Sequence, residues 1–81
     1  MEIIFSQEFQ QDFKKIKDKT TRLRIIKQIQ KLEKHPEAGK PLQHELKNYR
    51  SLRVPPFRLI YRIENNKIII NCFEHRKEVY D

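Results

Sequence analysis

Five side chains in the C-terminal half of the chain have the chemistry to hold a polyanion: Arg53, Arg58, Arg62, Asn71 and His75. Guanidinium groups grip phosphate in a forked geometry and stay charged at any physiological pH. A histidine gives and takes a proton near neutrality, because its unperturbed pKa lies near 6.5. Phe73 and Ile69 sit among them, and an aromatic ring can stack on a base. Together these residue types suit a ligand that carries both phosphates and bases.

Such side chains act in concert only if the backbone gathers them. Glu2–Phe5 reads as a first strand, followed by Ser6 as a helix cap. Phe9, Phe13 and Ile16 recur at spacings of four and three, which places them on one helical face. Asp18-Lys19 breaks that pattern, and Thr20 or Thr21 is expected to cap a second helix striped by Leu23, Ile25, Ile26, Ile29 and Leu32. His35-Pro36 ends it, since the residue before proline is pushed out of the helical region. The stretch from Pro36 to Glu45 holds the only glycine, Gly39, and reads as a loop. The apolar period then changes from 3.6 to 2, giving strands over Tyr49–Val54, Phe57–Glu64 and Lys67–His75. The expected architecture is α+β: an N-terminal strand, a helical hairpin and a three-stranded antiparallel meander, in one domain spanning residues 1–81.

The register of the last hairpin decides which side chains meet. If Asn65-Asn66 is the whole turn, Glu64 pairs with Lys67, Ile63 with Ile68, Tyr61 with Ile70 and Leu59 with Cys72. Opposed residues share a face. Leu59, Tyr61, Ile63, Ile68, Ile70 and Cys72, with Leu52 and Val54, are then expected against the helices. Ser51, Arg53, Arg58, Ile60, Arg62, Ile69, Asn71, Phe73 and His75 fall on the opposite, open face by alternation, with no carboxylate between the arginines.

Composition narrows the partners. A formal net charge of +7 on 81 residues attracts RNA, DNA or an acidic protein. So short a chain has room for one thin core and none for a cofactor domain. The lone Cys72 cannot form an internal disulfide, and no signal peptide or apolar run of membrane-spanning length is visible, which points to the cytoplasm. His35 and His44 have no cysteine or carboxylate at ligand spacing, so no metal site is expected. Cys72 is expected on the core face as an inert thiol.

Three linked stretches resemble the RelE/ParE toxin superfamily: Asn48-Tyr49-Arg50-Ser51-Leu52-Arg53-Val54, Phe57-Arg58-Leu59-Ile60-Tyr61-Arg62-Ile63, and His75-Arg76-Lys77-Glu78-Val79-Tyr80. The similarity covers roughly the last 35 residues. It implies a toxin of a type II toxin–antitoxin system. In the RelE-like branch such toxins cut messenger RNA in the ribosomal A site, without metal or other cofactor. The implied catalytic residues are Arg53 and Arg58 as phosphate ligands, His75 as general acid or base, Arg76 as a further phosphate ligand, and Tyr80 orienting the substrate. Arg50, Ser51, Arg62, Asn71, Phe73 and Lys77 complete the implied RNA-binding set, with Arg50 standing in for a basic residue that the family often has at the Ser51 position. Glu74 occupies a position where glycine or a basic residue is common.

The resemblance also implies partners: a cognate antitoxin with an acidic, apolar wrapping segment, the ribosome and its messenger, and promoter DNA only as a toxin–antitoxin complex. No membrane partner is expected. Two other functions share the fold. A ParE-like toxin inhibits DNA gyrase through protein contacts, and a decayed relative binds RNA without cutting it.

Overall fold

The computed structural model describes residues 1–42 and 48–75. Strand β1 spans Glu2–Phe5, helix α1 Gln7–Lys15, helix α2 Lys19–Lys34, strand β2 Lys40–Pro41, β3 Tyr49–Val54, β4 Phe57–Glu64 and β5 Lys67–His75. The strands form one sheet in the order β1-β5-β4-β3-β2. β1 runs parallel to β5, and every other pairing is antiparallel. The α+β architecture therefore follows the expected order. Two features were not expected: the parallel strand at one edge, and a two-residue strand inside the stretch read as a loop.

Local chemistry explains the helix ends. Ser6 caps α1, its hydroxyl accepting from the Phe9 amide at 3.0 Å. α2 is capped by Asp18, not by Thr20 or Thr21: the Asp18 carboxylate accepts from the Thr21 amide at 3.0 Å and from the Thr21 hydroxyl at 2.6 Å. A carboxylate takes both donors at once and also faces the positive end of the helix dipole. The Thr21 hydroxyl and amide hold the Asp18 carboxyl below its usual pKa. Arg22 closes the other junction, donating to the Phe13 and Ile16 carbonyls at 3.1 and 2.8 Å with its guanidinium 4.3 Å from the Phe13 ring centre.

Both helices pack on one face of the sheet. Phe9, Ile25, Ile29 and Leu32 meet Leu52, Val54, Leu59, Tyr61, Ile68 and Ile70 in a continuous core. Full burial of side chains of this size is worth about 1.5–3 kcal/mol each. Leu23 and Ile26, expected in the stripe of α2, are exposed instead. The row Ile25–Ile29–Leu32 is buried on the sheet, while Ile26 lines a groove beside α1 with Phe9, Phe13 and Ile29.

Tyr61 ties the loop after α2 to this core. Its hydroxyl donates to the Pro36 carbonyl at 2.7 Å and accepts from the Gly39 amide at 2.9 Å. Arg50 adds a bond to the Gly39 carbonyl at 2.8 Å. Gly39 must be glycine here. A Cβ would stand 2.8 Å from the Tyr61 ring and hydroxyl and 2.9 Å from the Ser51 carbonyl.

The β4–β5 hairpin turns through Asn65 and Asn66, both at positive φ (51° and 64°), as its sequence predicts. Glu64 pairs with Lys67, Ile63 with Ile68 and Tyr61 with Ile70. The register then slips by one residue. Ile60 pairs with Cys72, Leu59 with Phe73, Arg58 with Glu74 and Phe57 with His75. Asn71 is the extra residue, a β-bulge, and Ser6 holds it. The Ser6 amide donates to the Ile70 carbonyl at 3.0 Å, and its hydroxyl donates to the Asn71 carbonyl.

Candidate polyanion-binding face

Sheet pairing assigns the face away from the helices row by row. Tyr49, Arg62 and Ile69 form one row, Ser51, Ile60 and Cys72 the next, and Arg53, Arg58 and Glu74 the third. Lys40 of β2 joins the Ser51 row from the edge. Arg53 and Arg58 are directly opposed across β3 and β4, so their guanidinium groups share the open face, as expected. Arg62 and Ile69 also lie where alternation placed them.

The bulge moves the rest. Phe73 belongs to the core side, packing edge-on against Phe9 with ring centres 5.5 Å apart and against Phe57 at 5.1 Å. His75 lies in the Phe57 row, its ring 5.3 Å from that of Phe57, so it does not share the face of Arg53 and Arg58. Cys72, expected in the core, sits half-buried in the Ile60 row. Burial pushes its thiol pKa up, which disfavours the reactive thiolate. Each of these corrections has one cause: an inserted residue inverts the facing of everything after it. Asn71 itself occupies the bulge, and its side-chain amide lies 3.8 Å from the Cys72 sulfur.

Charge on the face is accordingly mixed. Glu74 replaces His75 beside the arginines and forms an ion pair with Arg58 at 3.0 Å. Arg62 is held by Glu64 at 2.9 Å and reaches the Tyr49 hydroxyl at 3.4 Å. The Glu64 hydrogen bond is the main reason its guanidinium pKa is raised. Among the described residues Arg53 makes no ion pair and is exposed. Arg50 points to the other side, where it donates to the Gly39 and Glu37 carbonyls. Its side chain is committed to the loop and does not replace the charge missing at Ser51. Arg76, Lys77, Tyr80 and His44 lie outside the described residues.

Tyr49 was missed by the sequence reading. It stands on the open face with the Arg62 guanidinium 5.6 Å from its ring centre. The signal was available: if Ser51 and Arg53 face outward, so does the residue two positions before Ser51. A tyrosine beside arginines offers a stacking surface that Phe73 does not. Among the described residues no group of His, Cys, Asp and Glu side chains is arranged to hold a metal ion. No helix there is long and apolar enough to cross a membrane.

The model of the ParE toxin of the type II toxin–antitoxin system parDE matches residues 3–80. No curated protein sequence matches the chain. Among solved structures, the RelBE2 toxin–antitoxin complex from Mycobacterium tuberculosis has 28% sequence identity and a TM-score of 0.71 over 93% of this chain and 96% of that one. The YoeB dimer from Staphylococcus aureus has 24% identity and a TM-score of 0.79, covering 95% and 98% of the two chains. The chromosomal ParDE system from Pseudomonas aeruginosa has 18% identity and a TM-score of 0.78, covering 95% and 97%. The latter two show a shared fold.

Proposed function

The chain belongs to the ParE toxin family, within the RelE/ParE superfamily of type II toxin–antitoxin toxins, and from that premise we propose that it is an endoribonuclease that cuts messenger RNA on the ribosome. The observation that carries this reading is the opposed pair Arg53 and Arg58 on the open face. The proposed reaction uses the substrate's own 2′-hydroxyl. Its oxygen attacks the adjacent phosphorus as its proton passes to a base. The bond to the 5′-oxygen breaks, and that oxygen takes up a proton. Arg53 and Arg58 hold the phosphoryl oxygens and stabilise the charge that builds on them, an effect often worth a few kcal/mol per fixed donor. Tyr49 offers a ring for a neighbouring base.

In this proposal His75 serves proton transfer only by reaching round the end of β5, because it lies in the Phe57 row. Arg76, Lys77 and Tyr80 keep the roles that the family resemblance implies. The protein acts as one domain in the cytoplasm, where messenger and ribosome are. An antitoxin with an acidic, apolar segment holds it inactive, in keeping with the toxin–antitoxin complex among its structural relatives. Promoter DNA is bound only by the two together. Expression in a translating extract, followed by mapping of messenger 5′ ends, tests the proposal. In-frame cuts within translated regions are expected, and they should vanish in Arg58→Ala. Intact messenger with the wild-type protein would remove the activity.

A second reading has specific support. The family model is that of the ParE toxin, and His75 stands apart from the arginines. Inhibition of gyrase supercoiling by the purified protein, with messenger left whole, would establish it in place of the first.

A further inference from the structure

The open face does not end at Arg53. β2 begins at Lys40, opposite Ser51, and runs antiparallel to β3, so β3 beyond Ser51 has no neighbouring strand on its outer side among the described residues. A groove of about 600 Å³ runs round this edge toward α2. Lys31 enters from the helix, Lys40 from β2, and Arg53 and Arg58 from the sheet, while Pro41 and Leu42 supply apolar wall. Among the described residues no carboxylate belongs to its lining, and Glu74 meets only Arg58, from the side of the sheet face. Lys31 and Lys40 are exposed, so their charges can meet a ligand without a large desolvation cost.

We propose that this groove is a second phosphate site, which takes the backbone of single-stranded RNA flanking the phosphodiester held by Arg53 and Arg58. The inference rests on the ribonuclease reading for the identity of its ligand. Its physical basis is separate: four cations and an apolar wall lining one groove suit a strand that carries both phosphates and bases. An acidic, apolar protein segment is the competing occupant; RNA is favoured because the groove continues from Arg53 and Arg58, the pair that the cleavage reading gives to a phosphodiester. The lysines add ionic grip beyond the reacting phosphate and set the direction in which the strand leaves the face.

The test uses the full chain and 2′-O-methyl oligoribonucleotides, which cannot be cut, of three and of eight nucleotides. Binding is followed by fluorescence anisotropy across a salt series. Wild type is expected to bind the longer probe more tightly. The double variant Lys31→Ala/Lys40→Ala should lose about tenfold in affinity for it, with the log–log salt slope smaller by about 1.4, the equivalent of two phosphate contacts on a single strand. Affinity for the short probe and the circular dichroism spectrum should be unchanged. Equal affinity and slope for wild type and variant on the long probe would overturn the proposal. So would tighter, lysine-dependent binding of polyglutamate than of RNA, which would make the groove a protein-docking site. If wild type leaves messenger whole in a translating extract yet shows the lysine-dependent gain with length, the groove is supported and only the cleavage reading falls.

Discussion

Strand β5 contains two stretches that follow the same alternation and present opposite results. From Lys67 to Ile70 the pairing with β4 is regular, and Ile68 and Ile70 enter the core. From Cys72 to His75 every residue faces the other way from what an unbroken ladder would give. The first stretch is fixed by a two-asparagine turn with the backbone that a tight hairpin needs. The second is fixed by Ser6, far away in the sequence, through bonds to the Ile70 and Asn71 carbonyls. Local turn chemistry sets register near the turn, and a tertiary contact resets it further along. The chemistry of the open face depends on the second kind of control.

The largest effect should come from comparing the two sides directly. Arg58→Ala is expected to lower cleavage in a translating extract by about 10²–10³-fold, the usual loss for one fixed donor to a developing oxyanion. His75→Ala, on the other side of the sheet, should cost less than that. Equal losses would mean that the end of β5 turns over the sheet in the working state. Unchanged cleavage in Arg58→Ala would remove that arginine from the site.

Tyr61→Phe sharpens the same contrast from the regular stretch. It removes the bond to the Pro36 carbonyl and leaves the buried Gly39 amide without its acceptor. A loss of about 1–3 kcal/mol in urea unfolding is expected. Burial raises the Tyr61 pKa above its ordinary value of 10.0. The folded state therefore keeps the phenol proton longer than the unfolded state does. The stabilisation tied to that proton is complete below pH 10.0 and falls away as pH rises through the folded value. The phenylalanine variant should lack this alkaline component, and titrations of both proteins would reveal it.

Ser6→Ala acts on the shifted stretch and on the start of α1. It deletes the cap of α1 and the hydroxyl bond to the bulge. Loss of a cap costs about 0.5–2 kcal/mol, and amide exchange in β5 after Ile70 should quicken more than before it. Uniform exchange along the strand would show that Ser6 does not hold the bulge. The smallest change is expected from Glu74→Gln. Its ion pair with Arg58 joins two well-exposed side chains, so stability should move by no more than about 1 kcal/mol. RNA affinity should rise, because Arg58 is then free for phosphate. A fall would show that Glu74 positions Arg58 for its ligand.

Much of this was legible in the sequence, for reasons that can be named. The helices follow from apolar spacing, and the hairpin from Asn65-Asn66, because both signals are local. Arg53 and Arg58 meet because the β3–β4 ladder is unbroken. His75, Phe73 and Cys72 were misplaced because nothing in Ile70-Asn71-Cys72 marks a bulge: asparagine there alternates as well as any other residue. The pull of Ser6 on the Asn71 carbonyl exists only in the folded chain. Arg50 was misjudged for a similar reason, since its acceptors are main-chain carbonyls and no residue type announces them.

The chain's only glycine has a consequence out of proportion to its size. With hydrogen at position 39, the main chain can lie against the phenol ring and carry Lys40 straight into the strand beside Ser51. A methyl group there would lift the segment away, and the ammonium one residue later would move with it. Where a positive charge stands on the rim is thus set by an atom that carries no charge and is missing a neighbour. In a saturation library, this loop position should be as unforgiving as Leu32 or Ile70 in the interior.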